Sequence, residues 1–292
     1  MEGGFLLGSV FFCTFEAKLR VMRNLLFIFA LFSLISCKQN KTEEKIPVEP
    51  NNGIGNGAQP PKVLSFSENI EEAHNKTAFM MNEAVSYDIK LKFGGSPRLE
   101  GTVSMTTNSS KVRLDKADGT TVIFDGDQVY ISPETAKKEG ARFDIFTWQY
   151  FFAIPFKLTD PGTVWEKQQP KMLDSMEYQT AKLSFESNVG DSPDDWYVVY
   201  KDPETNRLKA AAYIVTFGSE QEKAEENPHA IVYSDYQTFK DAEIATQWSF
   251  HNWSSTDGFG EKLGEATISN VKFFSPEKEL FKASENSELL ER

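Results

Sequence analysis

Two cysteines and three histidines are the side chains of this sequence best suited to nucleophilic or metal chemistry. Both cysteines, Cys13 and Cys37, fall near the N-terminus. Everything after Cys37 therefore lacks a thiol nucleophile, a disulfide and a cysteine-based zinc site. No pair of histidines has metal-ligand spacing. His229 follows Pro228 in a charged stretch and reads as solvated, whereas His251, beside Trp248, Phe250 and Trp253, reads as packing. His74 falls on the apolar face of a predicted helix, as a hydrogen-bonded core residue or as a contact at the rim of a ligand cavity. There is no Gly-x-Ser-x-Gly elbow, His-Glu-x-x-His pair or phosphate loop. Gly258, Gly260 and Gly264 read as a hairpin loop, and the acids of 191–195 lack the ligand count of a calcium loop. The reading is of a non-catalytic protein with no implied cofactor or metal.

Cys37 has a chemistry of its own. From Met22 the chain runs Met22-Arg23-Asn24, then an apolar stretch 25–32, then Ser33-Leu34-Ile35-Ser36-Cys37. A basic start, a short apolar run and a small-residue exit form a secretory signal over 22–36, shorter than the ~20 residues of a membrane span. Leu34-Ile35-Ser36-Cys37 resembles the lipobox of bacterial lipoproteins. That resemblance implies a diacylglyceryl group on the Cys37 thiol and, with Lys38 next, an anchor in the outer membrane. Residues 1–21 fit this layout poorly and read as a mis-assigned upstream extension, with Met22 as the start. Residues 37–62 are polar and rich in Pro and Gly, which marks a flexible tether.

The chain carries 43 acidic residues against 31 basic ones, for a net charge of −12. That balance repels nucleic acid and anionic membrane surfaces, so no nucleic-acid partner is expected. Hydrophobic residues make up 40% of the 292, enough for a large core. A helix opens the domain, with Ser67 as its cap and Ile70, Ala73, His74, Thr77, Ala78 and Met81 at helical spacing. The period then becomes two. Val85, Tyr87, Ile89, Leu91 and Phe93 alternate with polar residues, Gly94-Gly95-Ser96-Pro97 turns the chain, and 99–107 returns. Further strands are expected at 112–114, 120–124, 128–132, 178–185, 196–200, 210–217, 231–236, 245–252 and 265–273. Asp118-Gly119 and Asp125-Gly126 form tight turns among them. The fold class is mainly β with helices: one large antiparallel sheet, curled because flat sheets of such size are disfavoured.

One segment interrupts the alternation. Residues 143–158 hold seven aromatics in sixteen positions, too dense for a solvent-exposed link. Phe143, Phe146, Thr147, Tyr150, Phe151 and Ile154 share a helical face, and Pro155 ends the helix before Phe156. A helix lying across the concave side of the sheet is expected. It is either a core plug or the wall of an apolar pocket, with His74, Phe143, Phe146, Tyr150, Phe151, Ile154 and Phe156 as candidate ligand contacts.

Several stretches resemble the superfamily of the lipoprotein carriers and acceptors LolA and LolB and the periplasmic sensor RseB. They are the hairpin Phe124-Asp125-Gly126-Asp127-Gln128-Val129-Tyr130, the turn Tyr200-Lys201-Asp202-Pro203-Glu204-Thr205-Asn206-Arg207-Leu208, Val232-Tyr233-Ser234-Asp235-Tyr236 and the closing strand 266–273. The likeness spans about 64–275 and extends to lipoprotein families of unassigned function in Bacteroidota. It implies a half-barrel sheet with helices covering an apolar cavity, in a domain over 63–285 followed by a polar tail, 286–292. The implied partners are a membrane, through the lipid on Cys37, and a lipid or lipoprotein ligand. The alternative is an interaction or sensor module of the envelope, with a filled core and a protein partner. The expected location is the cell envelope, at the outer membrane, on its periplasmic or surface face.

Overall fold

The computed structural model describes residues 62–291. Cys37, the signal 22–36, the extension 1–21 and residues 37–61 of the tether lie outside the described residues. The opening helix is two helices, α1 (Phe66–Ala73) and α2 (Lys76–Met80). Ser65, not Ser67, caps α1: its hydroxyl accepts from the Glu68 amide while the Glu68 carboxylate accepts from the Ser65 amide. The single helix expected to Met81 breaks at Asn75, whose backbone is left-handed and whose side chain caps α2.

Period two builds the sheet. In β1 (Ala84–Phe93), Val85, Tyr87, Ile89 and Leu91 are buried. Gly94 and Gly95, both at positive φ, turn the chain into β2 (Ser96–Thr106). β3 (Val112–Lys116), β4 (Thr121–Phe124) and β5 (Val129–Ser132) follow as hairpins. In the two Asp-Gly turns, the Asp118 and Asp125 carboxylates accept from amides two residues on. After helix α3 (Ala141–Ala153) comes a second run, β6 (Thr163–Lys167), β7 (Lys171–Leu173), β8 (Met176–Phe185), β9 (Tyr197–Lys201) and β10 (Leu208–Tyr213). The short helix α4 (Gln221–Glu225) precedes β11 (His229–Phe239), β12 (Ala242–Ser254), β13 (Gly258–Phe274) and β14 (Glu288–Leu290). The strand order is β14-β5-β4-β3-β2-β1-β13-β12-β11-β10-β9-β8-β6, with β7 paired to β8. Two antiparallel meanders thus join along one seam, β1 against β13, with Ile89 opposite Ile268 and Leu91 opposite Ala266.

This topology dictates the crossing helix. The chain leaves the first meander at β5 and must enter the second at β6, near the opposite edge. α3 makes that crossing, and its contacts show how far the sheet curls. Phe146 packs edge-on against Phe124 of β4 (5.1 Å between ring centres), and Tyr150, one turn later, against Phe185 of β8 (6.3 Å). Laid flat, β4 and β8 would stand nine steps of about 4.8 Å apart, about 43 Å, whereas a helix is about 10–12 Å across. The sheet must wrap the helix. Among the described residues it stays open, since the β14 and β6 ends do not pair with each other. The expected curled half-barrel, with helices at its start and across its concave side, is the observed fold.

The main core lies between α3 and the concave face. Phe152 stacks on Tyr87 at 4.0 Å, and the Tyr87 and Tyr233 hydroxyls donate to the carbonyls of Trp148 and Phe151. A smaller core on the other face gathers Tyr178, Tyr200 and Trp253, so β9 is buried on both sides. Two findings differ from the sequence reading. The glycines 258, 260 and 264 are not a loop but part of β13. A Cβ on Gly264 would meet the Lys92 carbonyl at 2.5 Å, so close pairing with β1 requires that glycine. Within the expected tail 286–292, Glu288–Leu290 forms β14, which covers the exposed edge of β5 and buries Leu290.

Candidate functional site

α3 is apolar on more than one side. Ile145, Trp148 and Phe152 face the core and are nearly inaccessible, while Phe143, Phe146, Thr147 and Tyr150 are only half-buried. These four, with Phe151, form one wall of a part-open cavity of about 810 Å³. The sheet supplies the facing wall through Phe124, Phe185, Tyr197 and Tyr213. The loop 186–195 and the C-terminal residues Leu289 to Glu291 close its margins. The volume falls within the ~300–1,000 Å³ of small-molecule sites.

Polar groups hold the frame. Asp144, in the first turn of α3, has a side chain only 1% exposed and is the hub of a buried cluster. Arg98 (2.8 Å), Lys116 (2.7 Å) and the Trp148 indole (3.0 Å) all donate to it. A carboxylate at a helix N-terminus also complements the helix dipole. Two residues earlier, Arg142 makes a two-pronged pair with Asp191 (2.7 and 3.0 Å) and donates to the Leu290 carbonyl (3.1 Å). One side chain of α3 thereby ties the 186–195 loop to the C-terminal strand across the cavity margin.

Of the residues singled out from sequence, the structure brings Phe143, Phe146, Tyr150 and Phe151 together at the cavity. Ile154 and Phe156 are not in its wall: they lie in the 3₁₀ turn that Pro155 imposes, and Phe156 stacks on Phe79 at 3.9 Å. His74 is also outside the cavity. Its Nε2 accepts from the Leu208 amide (3.0 Å), so its proton sits on Nδ1, which donates to the Glu243 carbonyl (2.8 Å). The void beside it, about 10 Å³, is at the limit for a single water. His229 is half-buried at the start of β11, packed on Tyr213, rather than solvated.

The neutral ring of His74 makes a testable contribution. Burial, opposed by the bond to the Glu243 carbonyl, lowers its pKa to about 4, against an ordinary 6.5. Above pH 6.5 the folded and unfolded chains are both neutral here, and the full stability is present. As pH falls from 6.5 towards 4, only the unfolded chain takes up the proton, so stability is lost across that window. The expected loss from this residue is about 2–3 kcal/mol between pH 7.5 and pH 4.5. Urea unfolding at the two pH values should show a smaller difference in His74→Gln than in the parent. Equal differences would mean that His74 does not carry it.

Residues 145–253 match the model of a family of unknown function (DUF6503), a stretch running from the middle of α3 to the end of β12. No curated protein sequence matches the chain significantly. In shape, the chain is similar to a LolA superfamily protein from Nitrosomonas europaea, at 9% identity and a TM-score of 0.48, over 73% of this chain and 97% of that one. A DUF1329 family protein from Desulfovibrio piger is similar at 10% identity and a TM-score of 0.45, over 73% and 97%. A chain of the MucA/MucB complex from Pseudomonas aeruginosa is similar at 9% identity and a TM-score of 0.20, over 70% and 94%. At such identities and scores, function must be argued from the site itself.

Proposed function

We propose that this chain is a non-catalytic lipoprotein of the cell envelope, anchored in the outer membrane through Cys37, that holds an acyl chain in the concavity of its sheet. The observation that carries the reading is the cavity of about 810 Å³, in whose lining Phe143, Phe146 and Tyr150 are left partly exposed. Fully packed rings need no partner, but Phe143, Phe146 and Tyr150, only partly covered on a helix otherwise sunk in the core, invite one. Each methylene buried there would contribute ~0.8 kcal/mol without directional contacts. The tether 37–62 would let a domain fixed by Cys37 reach ligand away from the bilayer.

The test is titration of the full chain, carrying Cys37→Ser to remove its own acylation site, with the neutral apolar fluorophore N-phenyl-1-naphthylamine. Saturable binding is expected. Thr147→Trp, which puts an indole into the cavity from α3, should weaken it by about tenfold or more while leaving thermal unfolding near that of the parent. Absence of saturable binding by the parent would refute the cavity reading.

A further inference from the structure

The polar atoms of the cavity wall are as one-sided as its rings. Three side-chain polar atoms are buried without a hydrogen-bond partner among the described residues: Ser109 Oγ, Gln149 Oε1 and the Tyr150 hydroxyl. All three belong to residues that line this cavity, Gln149 and Tyr150 from α3 and Ser109 from the turn between β2 and β3. Gln149 is only 6% exposed, and its amide orientation is fixed because Nε2 donates to the Phe146 carbonyl (3.2 Å). Its unpartnered atom is therefore an acceptor. Unmet buried groups are uncommon in folded proteins, and three around one cavity point to a partner that supplies the missing bonds.

The charges agree. Among the described residues the lining carries five acidic residues, Asp127, Asp160, Asp191, Asp195 and Glu291, against two basic ones. Both bases are engaged, Arg142 by Asp191 and Lys157 by Asp160. Asp195 has no ion pair among the described residues. Its Oδ1 accepts from the Thr216 amide (2.8 Å) and hydroxyl (2.7 Å), and among the described residues its Oδ2 accepts no hydrogen bond. A carboxylate or phosphate head beside Asp195 would meet its negative charge, and both cations of the described lining are already paired. A hydroxyl, amide or amine head could donate to the Gln149 and Asp195 acceptors.

We propose that the cavity selects an amphiphile whose head donates hydrogen bonds and carries no negative charge, with Gln149 and Asp195 as the acceptors that read it. This rests on the acyl-binding reading above and narrows it to a ligand class. Fatty acids and anionic phospholipid heads are disfavoured, while monoacylglycerols and N-unsubstituted or secondary fatty amides fit.

The test holds the chain length constant and varies the head. Oleamide, monoolein, methyl oleate and oleate are used at pH 8 to displace bound N-phenyl-1-naphthylamine from the full chain carrying Cys37→Ser. Oleamide and monoolein should displace it at concentrations about tenfold lower than methyl oleate, which has the tail but no donor, and oleate should be weakest. Asp195→Asn keeps an acceptor for the Thr216 donors, so the fold is retained. It should narrow the gap between oleate and methyl oleate. Gln149→Met should narrow the gap between oleamide and methyl oleate. Equal displacement by methyl oleate and oleamide, or better displacement by oleate, overturns the head-group assignment while leaving the cavity reading intact. If the fluorophore itself does not bind, the cavity reading falls and this assignment falls with it.

Discussion

Replacing both cations around Asp144, as Arg98→Met with Lys116→Met, is expected to lower the unfolding free energy by about 3–5 kcal/mol, read by urea denaturation at neutral pH. The Asp144 side chain is 1% exposed and has no route to water, whereas Arg98, at 41%, and Lys116, at 16%, keep part of theirs. The cost of stripping the cluster falls on the carboxylate, which would stay buried with only the Trp148 indole as donor. The position of the group amplifies the effect. Asp144 lies in the first turn of α3, opposite β2 and β3, and that turn fixes how the crossing helix enters the concave face. Adding Asp144→Asn to the double variant should recover most of the loss, because a neutral amide there needs no counter-charge. If the double variant unfolds like the parent, Asp144 is not held as a charged hub. If the triple variant is as unstable as the double one, the loss comes from the missing aliphatic stems of Arg98 and Lys116 rather than from charge.

How much of this was legible in the sequence depends on whether the signal was local. The β1–β2 hairpin was, because its alternation and its glycine turn sit side by side in the chain. The two Asp-Gly turns and α3, with its Pro155 stop, were legible for the same reason. β6, β7 and β14 were not. β6 and β14 are short edge strands and β7 a three-residue flap, and their mixed exposure leaves no apolar alternation to find. The seam of β1 on β13 joins stretches far apart in the chain and has no local mark at all.

The site divides in the same way. The helical wall showed itself through aromatic density at 143–156. The facing wall did not, because whether Phe185, Tyr197 and Tyr213 point inward is set by register, and a slip of one residue sends each to the other face. His74 stood out as a histidine on an apolar face. Its bonding partners, Leu208 and Glu243, are 134 and 169 residues away, so only the fold could decide that it braces the helices rather than touching the cavity. Ile154 and Phe156 share the aromatic segment but not its place at the cavity, since the turn at Pro155 swings them into the core.

The two sides of α3 should separate cleanly in a pair of truncations. Phe152→Ala is expected to cost about 3–5 kcal/mol. Its ring is 3% exposed, stacks on Tyr87 at 4.0 Å with 11° between planes, and lies 6.5 Å from Phe79. Deleting it opens a hole between the helix and the seam strand, where neighbours fixed by sheet register cannot close in. Phe146→Ala, six residues earlier on the cavity side, should cost only about 1–2 kcal/mol. That ring is half-buried already, touches Phe124 edge-on at 5.1 Å and lies 5.4 Å from the Arg142 guanidinium. Fluorophore binding should follow the reverse order. Phe146→Ala should weaken it several-fold at near-parental stability, and Phe152→Ala, assayed well below its lowered melting temperature, should bind like the parent. The decisive comparison is the ratio of the two effects in each variant. If both truncations destabilise equally and neither alters binding, α3 is a core plug on all sides, and the half-covered rings of the cavity have no part in holding a ligand.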